Sequence, residues 1–356
     1  MKNKFLLLVA AILVMTMLAG CAGTVVVVGD CTCPSVGAQS STVPVVGDGE
    51  TPLKTGLAVS TKISDSTSAT AEAAGAVVYD VTIAAVTVDE QGKIRSCKLD
   101  SIPATVNFDA TGVTTTDLAT VINTKNEKGE NYGMVAYGNA IAEWDAQVAS
   151  LCNFVVGMTA EELKTGVVSE SGYAIDGTIL ASSATIYLGG YVKVIEAAVN
   201  NAQYLGAVDG DELKLVTINT AANSVSATAE KDGTAQLDAN IAVVTVCEGR
   251  ITSCIIDALQ GKVNFNATGA ITTDLTAPVA TKNELGEGYG MKAWGNAKFE
   301  WNEQAASFAA YVTGKTAAEV AGIAVSEGKP TDVQLASTVT IAIGDFQDLV
   351  AKALIE

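Results

Sequence analysis

The chain contains no histidine. Because Ser-His-Asp and Cys-His catalysis both need an imidazole, this absence excludes those mechanisms, together with every zinc, copper or non-haem iron site that uses a histidine ligand. Any chemistry must therefore come from carboxylates, hydroxyls, thiols, lysines or a bound cofactor. The sequence also shows no nucleophile with a base beside it, which disfavours a hydrolase.

Basic and aromatic residues are scarce as well. Lys and Arg number 21 against 39 Asp and Glu, and the formal net charge is -18, so we expect no nucleic-acid partner. Aromatic residues make up 5% of the chain, and each one is therefore more informative than usual. Hydrophobic residues make up 49%, which is enough for packed cores, and a length of 356 residues predicts about two domains.

The first 20 residues are typical of a secretory signal. Two lysines precede an apolar run over residues 5–17, which is too short to be comfortable as a membrane-spanning helix. The run ends in Leu-Ala-Gly-Cys at residues 18–21, which resembles a bacterial lipobox. This resemblance implies that Cys21 is lipidated and anchors the mature protein to the extracellular face of the cell membrane. The alternative is an ordinary cleaved signal.

A flexible linker is predicted next, over residues 21–54, because this stretch is rich in Gly, Ser, Thr, Val and Pro and has no helical period. Six cysteines follow Cys21: Cys31, Cys33, Cys97, Cys152, Cys247 and Cys254. An even number in an exported protein permits disulfides, but the spacings match no metal or redox motif. Thiols and disulfides both remain open.

The chain contains one unit twice. Residues 92–170 align without a gap with residues 249–327, at a constant offset of 157, and the same Tyr-Gly-Met tripeptide and the same tryptophan recur. The period is too long for a solenoid repeat and suits a domain. We therefore predict two tandem domains, at residues 55–205 and 209–356, which are called the first and second modules below.

Each module has the same order of predicted elements, and the fold class is α+β, with a small sheet and packed helices in each module. β-branched runs around a turn predict hairpins at residues 81–99 and 241–256. Apolar residues at steps of four, three and four then predict one helix face in each module. These residues are Trp144, Val148, Leu151 and Val155, and Trp301, Ala305, Phe308 and Val312.

The second part of each module is predicted to hold a short helix, a β-rich stretch and a closing helix. Capping boxes, in which a threonine precedes a glutamate by three residues, begin the short helices. They are Thr159 with Glu162 and Thr316 with Glu319. The β-rich stretches cover 181–188 and 333–343, and the closing helices cover 191–202 and 346–354.

A Ser/Thr-rich segment precedes each closing helix. The two segments read Ala181-Ser182-Ser183-Ala184-Thr185-Ile186 and Ala336-Ser337-Thr338-Val339-Thr340-Ile341. They resemble the FMN-binding domain family, whose members carry an Asp-x-x-Ser-Gly-Ala-Thr motif just before a last helix. The Gly-Lys-Ile and Gly-Arg-Ile exits of the hairpin turns are similar to that family too. A lipid-anchored chain with two such domains resembles the flavinylated lipoproteins of extracellular electron transfer in Gram-positive bacteria.

The resemblance implies an FMN cofactor in each module. A flavin transferase would esterify the FMN phosphate to Thr185 and Thr340, and a membrane dehydrogenase would supply electrons. In this chain the motif glycine is replaced by Ser183 and Thr338, and the motif aspartate by Ile179 and Gln334.

The residues themselves leave two interpretations of these segments open. A helix N-terminus attracts phosphate, and the hydroxyls of Ser182, Ser183, Ser337 and Thr338 could add donors. Alternatively, the alternating Ser and Thr residues lie on the exposed face of a strand.

Aromatic residues offer a second set of candidates. Tyr132 and Tyr289, in the two Tyr-Gly-Met loops, could stack on a flavin ring or belong to the core. The repeated tryptophans are interpreted as core. The acids beside them, Glu143, Asp145 and Glu300, are interpreted as a solvated helix face rather than a calcium or acid-base site, and Lys125 and Lys282 as solubilising loop residues.

Two functions from different classes follow from these observations. The first is a membrane-anchored extracellular flavoprotein that carries electrons through FMN bound to both modules. The second is a surface-displayed binding or structural lipoprotein whose domains resemble FMN-binding domains but hold no cofactor.

Overall fold

The computed structural model describes residues 50–355, which form an α+β fold of antiparallel sheets with helices packed against them. The predicted signal, Cys21 and the linker up to residue 49 lie outside the described residues. The first strand begins at Pro52, two residues before the predicted end of the linker at residue 54. No helix within residues 50–355 is long and apolar enough to cross a bilayer.

Within residues 50–355 the strands form two large sheets and one small ribbon. The first sheet has the order β3-β2-β1-β4 and the second the order β5-β6-β7, and all neighbouring strands are antiparallel. The strands are β1 (Pro52–Lys62), β2 (Gly75–Val88), β3 (Ile94–Phe108), β4 (Gln203–Val208), β5 (Glu212–Thr220), β6 (Gly233–Cys247), β7 (Arg250–Phe265), β8 (Val325–Ser326) and β9 (Lys329–Pro330). Strands β8 and β9 make the ribbon.

Both predicted hairpins are confirmed, and both are longer than predicted. Strand β2 pairs with β3, and β6 pairs with β7. The second hairpin closes through Glu248 and Gly249, whose φ angles of 47° and 75° are both positive. A two-residue turn with this geometry matches the right-handed twist of the strands it joins.

The helices follow the order of the sequence repeat. They are α1 (Lys125–Lys128), α2 (Met134–Gly138), α3 (Trp144–Phe154), α4 (Ala160–Gly166), α5 (Ile179–Ser183) and α6 (Gly189–Asn200) in the first module, and α7 (Lys282–Leu285), α8 (Met291–Gly295), α9 (Trp301–Val312), α10 (Ala317–Ala321), α11 (Val333–Ala336) and α12 (Gly344–Ile355) in the second. The predicted apolar faces of α3 and α9 are buried, and both capping boxes are formed at α4 and α10. These predictions and the closing helices α6 and α12 are confirmed.

The predicted β-rich stretches are wrong, since each Ser/Thr-rich segment contains a short helix, α5 or α11, followed by a loop. The side chains of Thr178 and Asp332 begin these helices by accepting the N–H groups of Ala181 and Leu335. Ser, Thr and Asp side chains bond readily to nearby backbone, and this local option replaces strand pairing here.

The two large sheets share one core. Alternate residues of β2, such as Val77 and Val81, pack into a cluster that contains side chains of β6 and β7. The rings of Phe108 and Phe265 stack in this cluster with centroids 4.0 Å apart. The other face of each sheet packs on its own helices, mainly α3 and α6 or α9 and α12. The layers are therefore helices, sheet, sheet and helices.

Reciprocal contacts join the two modules beside the phenylalanine pair. The N–H of Ala69 donates to Gly269 O, and the N–H of Ala227 donates to Gly112 O, both at 2.8 Å. The two glycines have positive φ, and a Cβ at Gly112 would lie 2.7 Å from Asn266 O. This close approach requires glycine.

Candidate functional site

Thr185 lies at the surface, in the loop between α5 and α6. Its N–H donates to Gln147 Oε1 at 2.8 Å, and its hydroxyl is 3.4 Å from the same oxygen. The N–H of Ile186 donates there as well, at 3.3 Å. Gln147 is fully buried on α3, and its Nε2 donates to Ala142 O at 2.8 Å. One buried amide therefore fixes the loop that presents the threonine.

The second module repeats this arrangement. The exposed Thr340 donates through its N–H to Gln304 Oε1 at 2.8 Å, and its hydroxyl is 3.2 Å from that oxygen. Gln304 is fully buried on α9 and donates to Phe299 O at 3.0 Å. The two threonines are thus structural equivalents. Sequence reasoning found them but missed the glutamines, whose signal was their recurrence at the same offset.

The four neighbouring hydroxyls bond to their own short helices. Ser182 and Ser337 donate to the carbonyls of Ile179 and Gln334, both at 2.7 Å. Ser183 and Thr338 lie 3.3 Å from the carbonyls of residues 180 and 335. Because each hydroxyl has one proton, donation to a phosphate would require each of them to leave its carbonyl.

The closing helices differ in how well their N-termini suit a phosphate. The first turn of α6 contains no acid, whereas that of α12 contains Asp345. A carboxylate at a helix N-terminus already occupies the favourable potential and repels a second anion. The residues present therefore fit a phosphate on Thr185 better than on Thr340.

Tyr132 and Tyr289 are half-buried, and each lies against a lysine. The Nζ of Lys125 is 5.4 Å from the ring centre of Tyr132 and 5.2 Å from that of Trp144. In the second module the Nζ of Lys282 is 5.0 Å from the rings of Tyr289 and Trp301. An ammonium between two aromatic rings is a stabilising cation–π arrangement.

These contacts correct one interpretation and confirm another. Lys125 is 8% exposed, so it is a buried packing partner, and Lys282 is half-buried in the same contacts, rather than either being a solubilising loop residue. Trp144 and Trp301 are buried as expected. The other aromatic residues of these loops, Tyr137 and Trp294, are 93% and 82% exposed.

The interpretation of Glu143 and Glu300 as a solvated helix face is also wrong. The Glu143 carboxylate accepts the N–H groups of Met134 and Val135 at 2.8 and 2.9 Å, and so caps α2. Glu300 caps α8 in the same way and is 2% exposed. The signal was present in the repeat, because both glutamates recur whereas Asp145 is replaced by Asn302.

A cleft of about 330 Å³ lies between the modules, and the sequence did not predict it. Asp100, Asn126 and Glu127 line it from the first module, and Thr217 and Lys352 from the second. The Lys352 ammonium binds Glu127 and donates to Thr217 O at 2.9 Å. The Asp100 carboxylate accepts the N–H groups of Ser101 and Asn126. The cleft is thus polar and crossed by an ion pair.

Asp100 and its equivalent Asp257 have perturbed acidities. Burial raises the pKa of each carboxyl from 3.8 to about 6, against the opposing effect of the hydrogen bonds that it accepts. Between about pH 4 and pH 6 the folded protein therefore holds protons that the unfolded chain releases. The stability that these groups contribute is present below about pH 4 and is lost as the pH rises through about 6.

We expect Asp257→Asn to remove this contribution, because the amide keeps an oxygen acceptor and does not titrate. The loss of unfolding free energy between pH 4.5 and pH 7.5 should be about 2 kcal/mol smaller in the variant than in the unsubstituted protein. Urea unfolding at both pH values measures the difference, and the exposed Asp232→Asn is the control. Equal pH dependence in the unsubstituted protein and Asp257→Asn would contradict the assignment.

Comparison with protein-family models, curated proteins and solved structures finds no match to this chain. The resemblance to the FMN-binding domain family therefore stays a prediction. Within residues 50–355, no group of three or more Cys, Asp or Glu side chains could hold a metal ion. The threonine loops recur in both modules and carry the hydroxyls for which the sequence predicts a phosphate ester.

Proposed function

We propose that this protein is a membrane-anchored extracellular flavoprotein that carries electrons through FMN held on its two modules. The observation that supports this best is the duplicated loop. Thr185 and Thr340 are exposed, are fixed by buried glutamines, and stand just ahead of twelve-residue helices. An enzyme that esterifies a hydroxyl needs that hydroxyl to be accessible and held in place.

Each part of this loop would have a defined role. The threonine hydroxyl would take the phosphate ester, the glutamine would hold the loop, and the N-terminus of α6 would favour the phosphate charge. FMN, when bound, supplies the redox chemistry, and the protein sets its position. Lipidated Cys21 would keep the carrier at the membrane, near a dehydrogenase that donates electrons. A flavin transferase is the second partner that the proposal needs.

Flavin fluorescence in a denaturing gel tests the proposal. The full chain is expressed with and without a flavin transferase, and we expect a fluorescent band only with the transferase. Thr185→Ala together with Thr340→Ala should abolish it. Thr185→Ala alone should remove more than half, because Asp345 disfavours the second site. The matched control is Ser182→Ala with Ser337→Ala, which removes exposed hydroxyls from the same segments.

The proposal is contradicted if the band of the unsubstituted protein, made with the active transferase, shows no flavin fluorescence. An intact mass that lacks the added mass of FMN would contradict it independently. If the variant with both Thr185→Ala and Thr340→Ala is still fluorescent, the protein binds flavin covalently but not through these two threonines.

A second candidate function is a surface-displayed binding or structural lipoprotein without cofactor. The hydrogen bonds of Ser182, Ser183, Ser337 and Thr338 to their own helices favour it, because these hydroxyls already have acceptors. A dark band, together with no flavin released when the purified native protein is denatured, would support this function.

A further inference from the structure

Two cysteine thiols meet in the core of the first module. Cys97 on β3 and Cys152 on α3 are free thiols, both buried in the cluster where α3 packs on the sheet, and their side chains interact. Neither residue has a role in the proposed flavin site. The pair therefore needs its own explanation.

The second module lacks this pair. At the same offset it has Cys254 and Ala309, which are buried in the corresponding cluster. The surroundings of the two sites are otherwise alike, with a tryptophan, a buried glutamine and a closing helix in each. The position of Cys152 thus accepts alanine in one copy of the fold, and the thiol pair is a feature of the first module alone.

We propose that Cys97 and Cys152 form a disulfide that fixes α3 to β3 when the protein meets a disulfide oxidant outside the cytoplasm. The proposal uses the predicted export of the chain and is independent of FMN. Disulfides persist in such compartments, where no reducing pool removes them. The bond would also restrain the helix that carries Gln147, and with it the loop of Thr185.

The reaction is ordinary thiol–disulfide exchange. One cysteine thiolate attacks a sulfur of the oxidant and releases one reduced thiol, which leaves a mixed disulfide. The second cysteine thiolate attacks the protein sulfur of that mixed disulfide and releases the other reduced thiol. Two electrons and two protons pass from the cysteines to the oxidant.

Exchange is expected before α3 docks on the sheet. The thiolate is the reactive form, whereas the hydrogen bond with Cys152 and then burial raise the pKa of Cys97 well above its ordinary value. A chain that folds in the presence of oxidant should therefore form the bond readily, whereas the folded, reduced protein should form it slowly.

A non-reducing peptide map tests the pairing. The full chain, made without flavin transferase, is denatured in reductant, refolded in a buffer of oxidised and reduced glutathione, alkylated in denaturant and digested. We expect one linked peptide that contains Cys97 and Cys152 and is lighter than the two reduced peptides by two hydrogen atoms. Reducing the product should lower its Tm by roughly 5 °C or more, because the bond closes a long loop.

Matched variants distinguish the effect of the Cys97–Cys152 disulfide on Tm from other effects of the reductant. Cys152→Ala puts at this position the residue that the second module has, so it should fold and should lose the Tm response to reductant. Cys254→Ala should keep that response. Ala309→Cys should give a second linked peptide, which contains Cys254.

Three results would overturn the proposal. One is complete alkylation of both Cys97 and Cys152 after refolding in oxidant. Another is a linkage of either residue to Cys31 or Cys33 in place of the expected one. The third is a Tm of Cys152→Ala that still falls in reductant. None of these results depends on whether the protein binds flavin, so this test and the flavin test can fail separately.

Discussion

Gln147→Leu is expected to lower the free energy of unfolding by about 3 kcal/mol. The change removes the acceptor of the Thr185 and Ile186 N–H groups and the donor to Ala142 O, at a position with no exposure to water. Polar groups left without partners in a buried site lose their hydration and gain nothing in return. Urea unfolding of the full chain measures the loss, and the m-value, the slope of the unfolding free energy against urea concentration, should be compared between the variant and the unsubstituted protein.

Two further substitutions make this result specific. Gln304→Leu removes the same contacts in the second module and should cost a similar amount. Gln91→Leu changes an exposed glutamine and should shift stability by no more than about 0.5 kcal/mol. A loss below about 0.5 kcal/mol for Gln147→Leu would show that the loop does not depend on this amide.

Phe265→Ala is expected to lower the free energy of unfolding by about 3–5 kcal/mol. The ring is fully buried, stacks on Phe108 and lies against Gly233, where a Cβ would come within 2.6 Å of it. A smaller side chain therefore leaves a cavity in the core that both modules share. Because the loss affects both modules together, we expect one cooperative unfolding transition by fluorescence and by circular dichroism.

A double-mutant cycle with Phe108→Ala measures the contact itself. The coupling between the two rings should be about 0.5–1.5 kcal/mol. Tyr137→Ala is the control, because that ring is 93% exposed and its loss should have little effect. Two separate transitions in the unsubstituted protein, with Phe265→Ala affecting only one, would contradict a shared core.

The hairpins and the amphipathic helices could be predicted because each has its own period and appears twice. The packing of the two sheets could not. Strand β2 is apolar on both faces, with Val81 and Ile83 on one and Ala84 and Val86 on the other. Such a strand indicates that both of its faces are covered, but it does not identify the covering elements. One face of β2 is covered by the second sheet, whose strands lie more than a hundred residues away in the sequence.

Only part of the candidate site could be read from local sequence. The two threonines were singled out through a resemblance in local sequence, and the glutamines that hold their loops were missed because they lie on another helix. The burial of Lys125 and Glu300 was missed because charged residues are normally solvated unless the fold supplies partners. Lys125 lies against the rings of Tyr132 and Trp144, and Glu300 accepts N–H groups at the start of α8.

The reciprocal contacts of Gly112 with Ala227 and of Gly269 with Ala69 bear on the evolutionary origin of the two modules. Matching patches that contact each other are what the interface of a symmetric homodimer looks like. A gene duplication that joined two such subunits into one polypeptide would account for both the sequence repeat and these contacts, and a single-copy ancestor would then have paired with itself. Either module produced alone would expose the apolar sheet face that is buried in the shared core, and it should therefore self-associate.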